Sequence, residues 1–221
     1  MDYDYPRIIL SQKVGKMPES CADELTKLDP KLGRLITKIG PCTLKPNPQQ
    51  PYEALVRAVA YQQLHAKAAE AILARFVDLY DEKFPSPDSV LKTPLPELRA
   101  VGLSESKAAA IRDIARGAKE GVVPSRADCR KLDDEEIIRR LVTLRGVGRW
   151  TVEMLLIFTL GRPDVLPVDD FGIREGFRLH WKLEKQPTPK ELREYGARWS
   201  PFRTTASWYL WRGLELYRRQ E

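Results

Sequence analysis

The chain has 221 residues, enough for one large domain or two small ones with a buried core, and 43% of them are hydrophobic. Its 37 Lys and Arg outnumber 31 Asp and Glu, and the resulting formal charge of +6 admits an anionic partner without demanding one. Cys21, Cys42 and Cys129 stand far apart, which argues against a disulfide framework, a Cys/His zinc site or an iron–sulfur run; no stretch reaches the ~20 apolar residues of a membrane span, and Met1–Leu10 is too acidic and too short of apolar length for a signal peptide.

Nearly every periodic segment reads as helix. Asp29-Pro30 opens one with Leu32, Leu35, Ile36 and Ile39 on a face, and Gly40-Pro41 stops it. Lys45 to Pro51 is a polar, proline-rich loop. Pro51 starts a long pattern with one stripe at Leu55, Val56 and Val59 and another at Ala69, Ile72, Leu73, Phe76, Val77 and Tyr80. The stripe weakens at Gln62-Gln63-Leu64-His65, so two helices joined there are expected, although neither Gly nor Pro marks the joint. Pro85 to Pro96 reads as a connector, and Leu98 to Val101 as a short helix ended by Gly102. Ser104 caps a helix with Ala108, Ile111, Ala115 and Ala118 inward, ended by Gly121. Asp133 and Glu136 have capping-box spacing before Ile137, Ile138, Leu141 and Val142; Thr188 and Glu191 have it again before Leu192. Ser200-Pro201 opens a last helix to about Tyr217. Val165 to Val168 is the only strand candidate. The fold class is therefore all-α, with about ten helices and no internal repeat of fixed period.

Leu144-Arg145-Gly146-Val147-Gly148-Arg149-Trp150-Thr151 joins a capped helix to an apolar one. Glycines in such a turn let the backbone bend tightly and bring N–H groups near an anion, and the next helix adds its positive N-terminal dipole. Arg145 and Arg149 flank the turn with positive charge. A plain αα-hairpin that needs glycine only for its shape reads the same way. Some twenty residues on, Val168-Asp169-Asp170 puts two acids before a helix starting near Phe171, where either can serve as N-cap.

Leu144 to Thr151 together with Leu166-Pro167-Val168-Asp169-Asp170 resembles the helix-hairpin-helix plus Gly/Pro-Asp signature of DNA glycosylases. Within that superfamily the chain is most similar to the 3-methyladenine DNA glycosylase II group, through Asp29-Pro30-Lys31-Leu32, Tyr61 to Ala69, Val101-Gly102-Leu103-Ser104 with Lys107-Ala108, and Trp199-x-Pro201-Phe202-Arg203. The resemblance spans roughly residues 25 to 217 and leaves no room for the extra β-rich domain some relatives carry. It implies one unit over 1–221, built of two helical subdomains flanking a cleft. One subdomain runs from about 45 to 155, with the hairpin at 137–158, and the other combines about 1–44 with 156–221.

The resemblance also implies roles. Asp170 matches the family's catalytic aspartate: departure of a base builds positive charge on the sugar, and a nearby carboxylate stabilises it and guides a water. One carboxylate suffices when the leaving base is already cationic. Trp150 stands where bifunctional relatives place a Schiff-base lysine, and an indole cannot be that nucleophile, so release without strand nicking is expected. Trp150 and Trp211 match base-pocket positions; Trp208 shares a helix face with Trp211, and Met154 lies a turn beyond Trp150 where some relatives have an aromatic. Trp181 and Trp199 read as core.

The target base must be flipped out of the duplex. Leu64 is the candidate wedge for the gap, within a DNA-contacting set of Gln62, Gln63, Leu64, His65, Lys107, Arg145, Gly146, Val147, Gly148, Arg149 and Thr151; Leu64 in the core and a solvated charged face around Lys107 and Arg112 are the plain alternatives. Backbone carbonyls of Val142, Leu144 and Val147 match positions holding a structural Na or K ion in related hairpins; no cofactor is required, and neither zinc nor an iron–sulfur cluster is expected. The implied partner is double-stranded DNA with alkylated bases, met by a monomer away from membranes, in the cytoplasm of a bacterium or the nucleus of a eukaryote. A helix-hairpin-helix protein that binds damaged DNA without cleaving it is the alternative.

Overall fold

A computed structural model describes residues 19–81 and 83–219, so the reading of Met1–Leu10 as lacking a signal peptide lies outside the described residues. The fold is all helical, and the described residues contain no strand. The chain divides into two compact units: residues 1–46 with 161–221, and residues 47–160.

The first unit holds α1 (Glu19–Leu28), α2 (Pro30–Ile39), α11 (Phe171–Trp181), α12 (Pro189–Gly196) and α13 (Arg203–Arg218), with a 3-10 turn at Ala197–Trp199. Asp29 starts α2 as expected: its Oδ1 accepts from the N–H groups of Lys31 and Leu32. Its Oδ2 accepts the indole N–H of Trp199 at 2.9 Å, with both residues buried. Phe177 and Trp181 stack at 4.2 Å between ring centroids, and Tyr195 meets Phe177 edge-on. Trp181 and Trp199 are thus core, as their sequence context implied. Thr188 and Glu191 form a full capping box at the head of α12.

The second unit holds α3 (Pro51–Tyr61), α4 (Ala66–Asp78), α5 (Pro87–Lys92), α6 (Leu95–Ala100), α7 (Glu105–Lys119), α8 (Arg126–Cys129), α9 (Asp134–Leu141) and α10 (Arg149–Leu155), the last running into a π-helical turn at Leu156–Leu160. Leu55, Val59, Phe76, Leu98, Ile111, Ile114, Ile137, Leu141 and Leu156 fill its core. Each such side chain withdrawn from water stabilises the unit by roughly 1.5–3 kcal/mol before entropy is counted.

Several local expectations need correction. Residues 165–168 form no strand: the Val165 N–H is taken by the Thr204 hydroxyl, so no ladder partner is needed. The proline-rich connector at 85–96 contains α5, because Ser86 caps the N–H of Ser89 and Pro87 supplies the first helical residue. The following helix begins at Leu95 rather than Leu98, and the last one at Arg203 rather than Ser200. Ala118 is only half-buried; Ile114 takes the inward place. Asp133 caps α9, but Glu136 turns to Arg140 instead of closing the box. The break after α3 is real and is made by Gln63, whose φ of 57° is left-handed without glycine.

Candidate active site and nucleic-acid interface

The hairpin sits on a prepared bed within the second unit. Gly146 has a φ of 75°, and a methyl group there would meet Ala110 of α7 at 3.1 Å. The Arg145 N–H donates to Asp113 Oδ2 at 2.8 Å, again on α7. Gln62 reaches in from the bend after α3, its Nε2 donating to the Gly146 carbonyl at 2.9 Å. Lys107, at the head of α7, donates from Nζ to the Ala60 carbonyl near the end of α3, and its partial burial lowers its pKa. The sequence set Gln62, Gln63, Leu64, His65, Lys107 and Arg145–Gly148 is therefore brought together on one unit. Gln63 and His65 are exposed and Leu64 is half-buried.

Gly148 differs from Gly146. Its φ of −91° is open to any residue, and nothing lies within 4 Å of where a side chain would begin. It is the N-cap of α10 and offers no side chain to that helix's first N–H groups. The chain thus leaves space beside a helix N-terminus, an arrangement that favours an oxygen anion. Val147 is buried beneath the turn, and Thr151 is buried inside α10.

The two flanking arginines have different surroundings. Arg145 is exposed. Arg149 is paired with Glu135 and with Glu153, and the hydrogen bond it donates to Glu135 is the main cause of its raised pKa. Its exposed guanidinium is thus shared between two carboxylates of the protein, of which Glu153 stands one helical turn away and Glu135 comes from α9. Arg112 binds the carbonyls of Leu91 and Thr93, so it closes the end of α5. Of the proposed ion ligands, the Leu144 carbonyl accepts from the Val147 N–H at 3.2 Å, and Val142 lies exposed at the C-cap of α9. Among the described residues no cluster of His, Cys, Asp or Glu is placed to hold a metal.

The acid belongs to the first unit. Asp169 is exposed, whereas Asp170 is 4% exposed and caps α11. Its Oδ1 accepts the Ile173 N–H at 2.8 Å and the Trp211 indole N–H at 2.9 Å. The cap reading of this residue is thus correct, and the second donor comes from a different helix. Trp211 and Trp208 are both buried in α13; Trp208 packs edge-on against Tyr209 with the Arg212 guanidinium over its ring. Trp150 and Met154 lie on α10 of the other unit, Trp150 half-buried and Met154 fully buried.

Residues 56–201 match the HhH-GPD superfamily of base excision DNA repair proteins. The chain belongs to that superfamily. It is 42% identical over 197 residues to DNA-3-methyladenine glycosylase 1 of Schizosaccharomyces pombe, covering 87% of this chain and 86% of that protein. The solved structure of the Schizosaccharomyces pombe 3-methyladenine DNA glycosylase in complex with abasic DNA aligns with a TM-score of 0.77 at 41% identity, over 87% of this chain and 95% of that one. A Bacillus halodurans DNA-3-methyladenine glycosidase aligns with a TM-score of 0.85 at 28% identity, over 93% and 94% of the two chains. Among superfamily members, the chain falls with the DNA-3-methyladenine glycosylases.

The functional features missed in the sequence are contacts. Nothing in the residue order announces that Gln62 holds the hairpin carbonyl, that Glu135 pairs with Arg149, or that Trp211 donates to Asp170. Gly172, two residues after the acid in the first turn of α11, does carry a signal in the residue order, since a glycine there permits close approach.

Proposed function

We propose that this protein is a monofunctional DNA glycosylase of base excision repair that flips alkylated purines of the 3-methyladenine type out of duplex DNA and releases them by hydrolysis, leaving an abasic site. The carrying observation is the Asp170 carboxylate, held at Oδ1 by one backbone and one indole N–H. A carboxylate held in this way can stabilise a cationic sugar and accept a proton from water. The water attacks the anomeric carbon, the N-glycosidic bond breaks, and the bonding electrons leave with the cationic base, which becomes neutral.

Other residues supply grip and selection. The Gly146–Gly148 turn and the first turn of α10 receive a phosphate, with exposed Arg145 adding charge. Leu64 fills the space of the extruded nucleotide, flanked by Gln62, Gln63 and His65. Trp150 and Met154 on α10 and, separately, Trp208 and Trp211 on α13 carry apolar and aromatic groups suited to a cationic purine. The carbonyls of Val142, Leu144 and Val147 suit a hard monovalent cation, since only neutral oxygens are offered; such an ion would add positive charge beside the phosphate. The protein acts as a monomer. The names of its relatives, DNA-3-methyladenine glycosylase among them, support the substrate class.

The capping role of Asp170 favours a second reading, a protein that binds damaged DNA without cleaving it. Release of methylated purines from N-methylated duplex DNA decides between them. Asp170→Asn keeps an oxygen for both donors, so it should fold and bind DNA while releasing no base. A wild-type protein that binds the duplex and releases nothing overturns the enzyme reading. Borohydride should trap no covalent adduct; a trapped adduct refutes the monofunctional assignment.

A further inference from the structure

Asp170 is held more firmly than a helix cap requires. A capping carboxylate needs one donor, from its own first turn, and the Ile173 N–H provides it at 2.8 Å. One hydrogen bond leaves the carboxylate plane able to swing, because the terminal torsion of aspartate is broad. The Trp211 Nε1–H adds a second bond to the same Oδ1 at 2.9 Å, 41 residues away in sequence. Indole N–H is a donor only, so it can hold the carboxylate but can neither take nor return a proton.

The approach of α13 to α11 that delivers this N–H depends on two glycines. A methyl group at Gly176 would lie 2.1 Å from the backbone oxygen of Leu210, the residue before Trp211. One at Gly172 would lie 3.1 Å from Asp170 Oδ1 and 3.1 Å from Trp211 Cδ1. The two glycines are four residues apart, hence on one face of α11. Gly176 sits in the middle of α11, where alanine would serve the helix better, and Gly172 in its first turn. Space between helices, not helix propensity, explains them.

We propose that Trp211 is a positioning residue for the Asp170 carboxylate, and that Gly172 and Gly176 exist to let its indole N–H reach Oδ1. This rests on the catalytic reading of Asp170 and deepens it. The pocket role of Trp211 concerns its ring face; the positioning role concerns its N–H, and the two separate experimentally.

The test replaces Trp211 with benzothienylalanine, which keeps the ring shape and puts sulfur where the indole has N–H. Single-turnover base release should slow on the order of 10- to 100-fold, the scale of a small misplacement of a reacting group. KM and duplex affinity should hold within about twofold, because uniform binding is untouched. Gly172→Ala should reproduce the slowing with Trp211 intact, and melting curves verify that both variants fold. A pocket wall alone predicts the opposite pattern: wild-type release by the isostere, which overturns the proposal. If Asp170→Asn remains active, the catalytic reading itself falls; if Asp170→Asn is inactive and the isostere is fully active, only the positioning role falls.

Discussion

Gly146 and Gly148, two residues apart in one turn, should fail in opposite ways when changed to alanine. At Gly146 the φ of 75° is left-handed, which costs a non-glycine residue roughly 1–2 kcal/mol. The new methyl also meets Ala110 at 3.1 Å, so the turn must shift against α7. For a chain of this size each kcal/mol lowers Tm by about 2–4 °C, so Gly146→Ala should melt roughly 2–8 °C below wild type. At Gly148 the backbone is ordinary and the new methyl enters open space. Loss of a glycine cap should cost under about 1 kcal/mol. The methyl instead occupies the approach of a phosphate to the first turn of α10. Hydrogen bonds to charged groups contribute about 1.5–3 kcal/mol, so losing one should weaken duplex binding roughly 10- to 100-fold. Backbone N–H groups displace no counterions, so the salt dependence should keep its slope. Arg145→Ala should differ, lowering that slope by about 0.9. Fluorescence anisotropy on a duplex with an abasic-site analogue, across a salt series, reads all three variants. Wild-type affinity in Gly148→Ala, or a Tm loss exceeding that of Gly146→Ala, refutes this account of the hairpin.

Burial holds His180 below the usual imidazole pKa, and its geometry fits a neutral ring that accepts from the Tyr217 hydroxyl at Nδ1 and donates from Nε2 to the Lys31 carbonyl. Its contribution is therefore complete above the unfolded pKa of about 6.5 and is lost as pH falls through the depressed folded value; urea unfolding between pH 8 and 5 should show a decline that His180→Gln lacks, and equal slopes would contradict it. Asp29→Ala removes a cap and strands the buried Trp199 N–H, which together should cost about 2–4 kcal/mol in urea unfolding. Combined with Trp199→Phe it should be less than additive, and strict additivity would deny the coupling. Lys107→Met removes the ammonium from the Ala60 carbonyl and should loosen the α3 end and the bend after it; hydrogen exchange should rise at residues 62–65, and unchanged protection there would rule the anchor out.

Local chemistry wrote much of this protein directly into its residue order. Asp29-Pro30, Ser104 and Thr188 with Glu191 cap helices through their own oxygens within three residues, so those starts could be read without any tertiary contact. The apolar stripes of α2, α3, α4 and α7 define inward faces by helical spacing alone, and the Gly146–Gly148 turn with Asp170 pointed to the DNA glycosylases. Ser86-Pro87 carried the same kind of signal for α5, but surrounding prolines masked it. Other features were settled only when distant segments met. The break at Gln63 has no glycine or proline to announce it, because the hold on Gly146 by its neighbour Gln62 stabilises the bend from outside. Val165 to Val168 has strand-like residues, yet Thr204 takes the Val165 N–H before any second strand could. Arg149 looks like a phosphate ligand until Glu135 of α9 arrives beside it. Asp170 is a cap by sequence and an acid held from two helices only after α13 crosses α11 at Gly176. Caps, turns and stripes act within one or two helical turns and so are legible in order along the chain, whereas the hold on the hairpin and the aim of a carboxylate depend on side chains 84 and 41 residues from their partners, whose meeting is decided by packing.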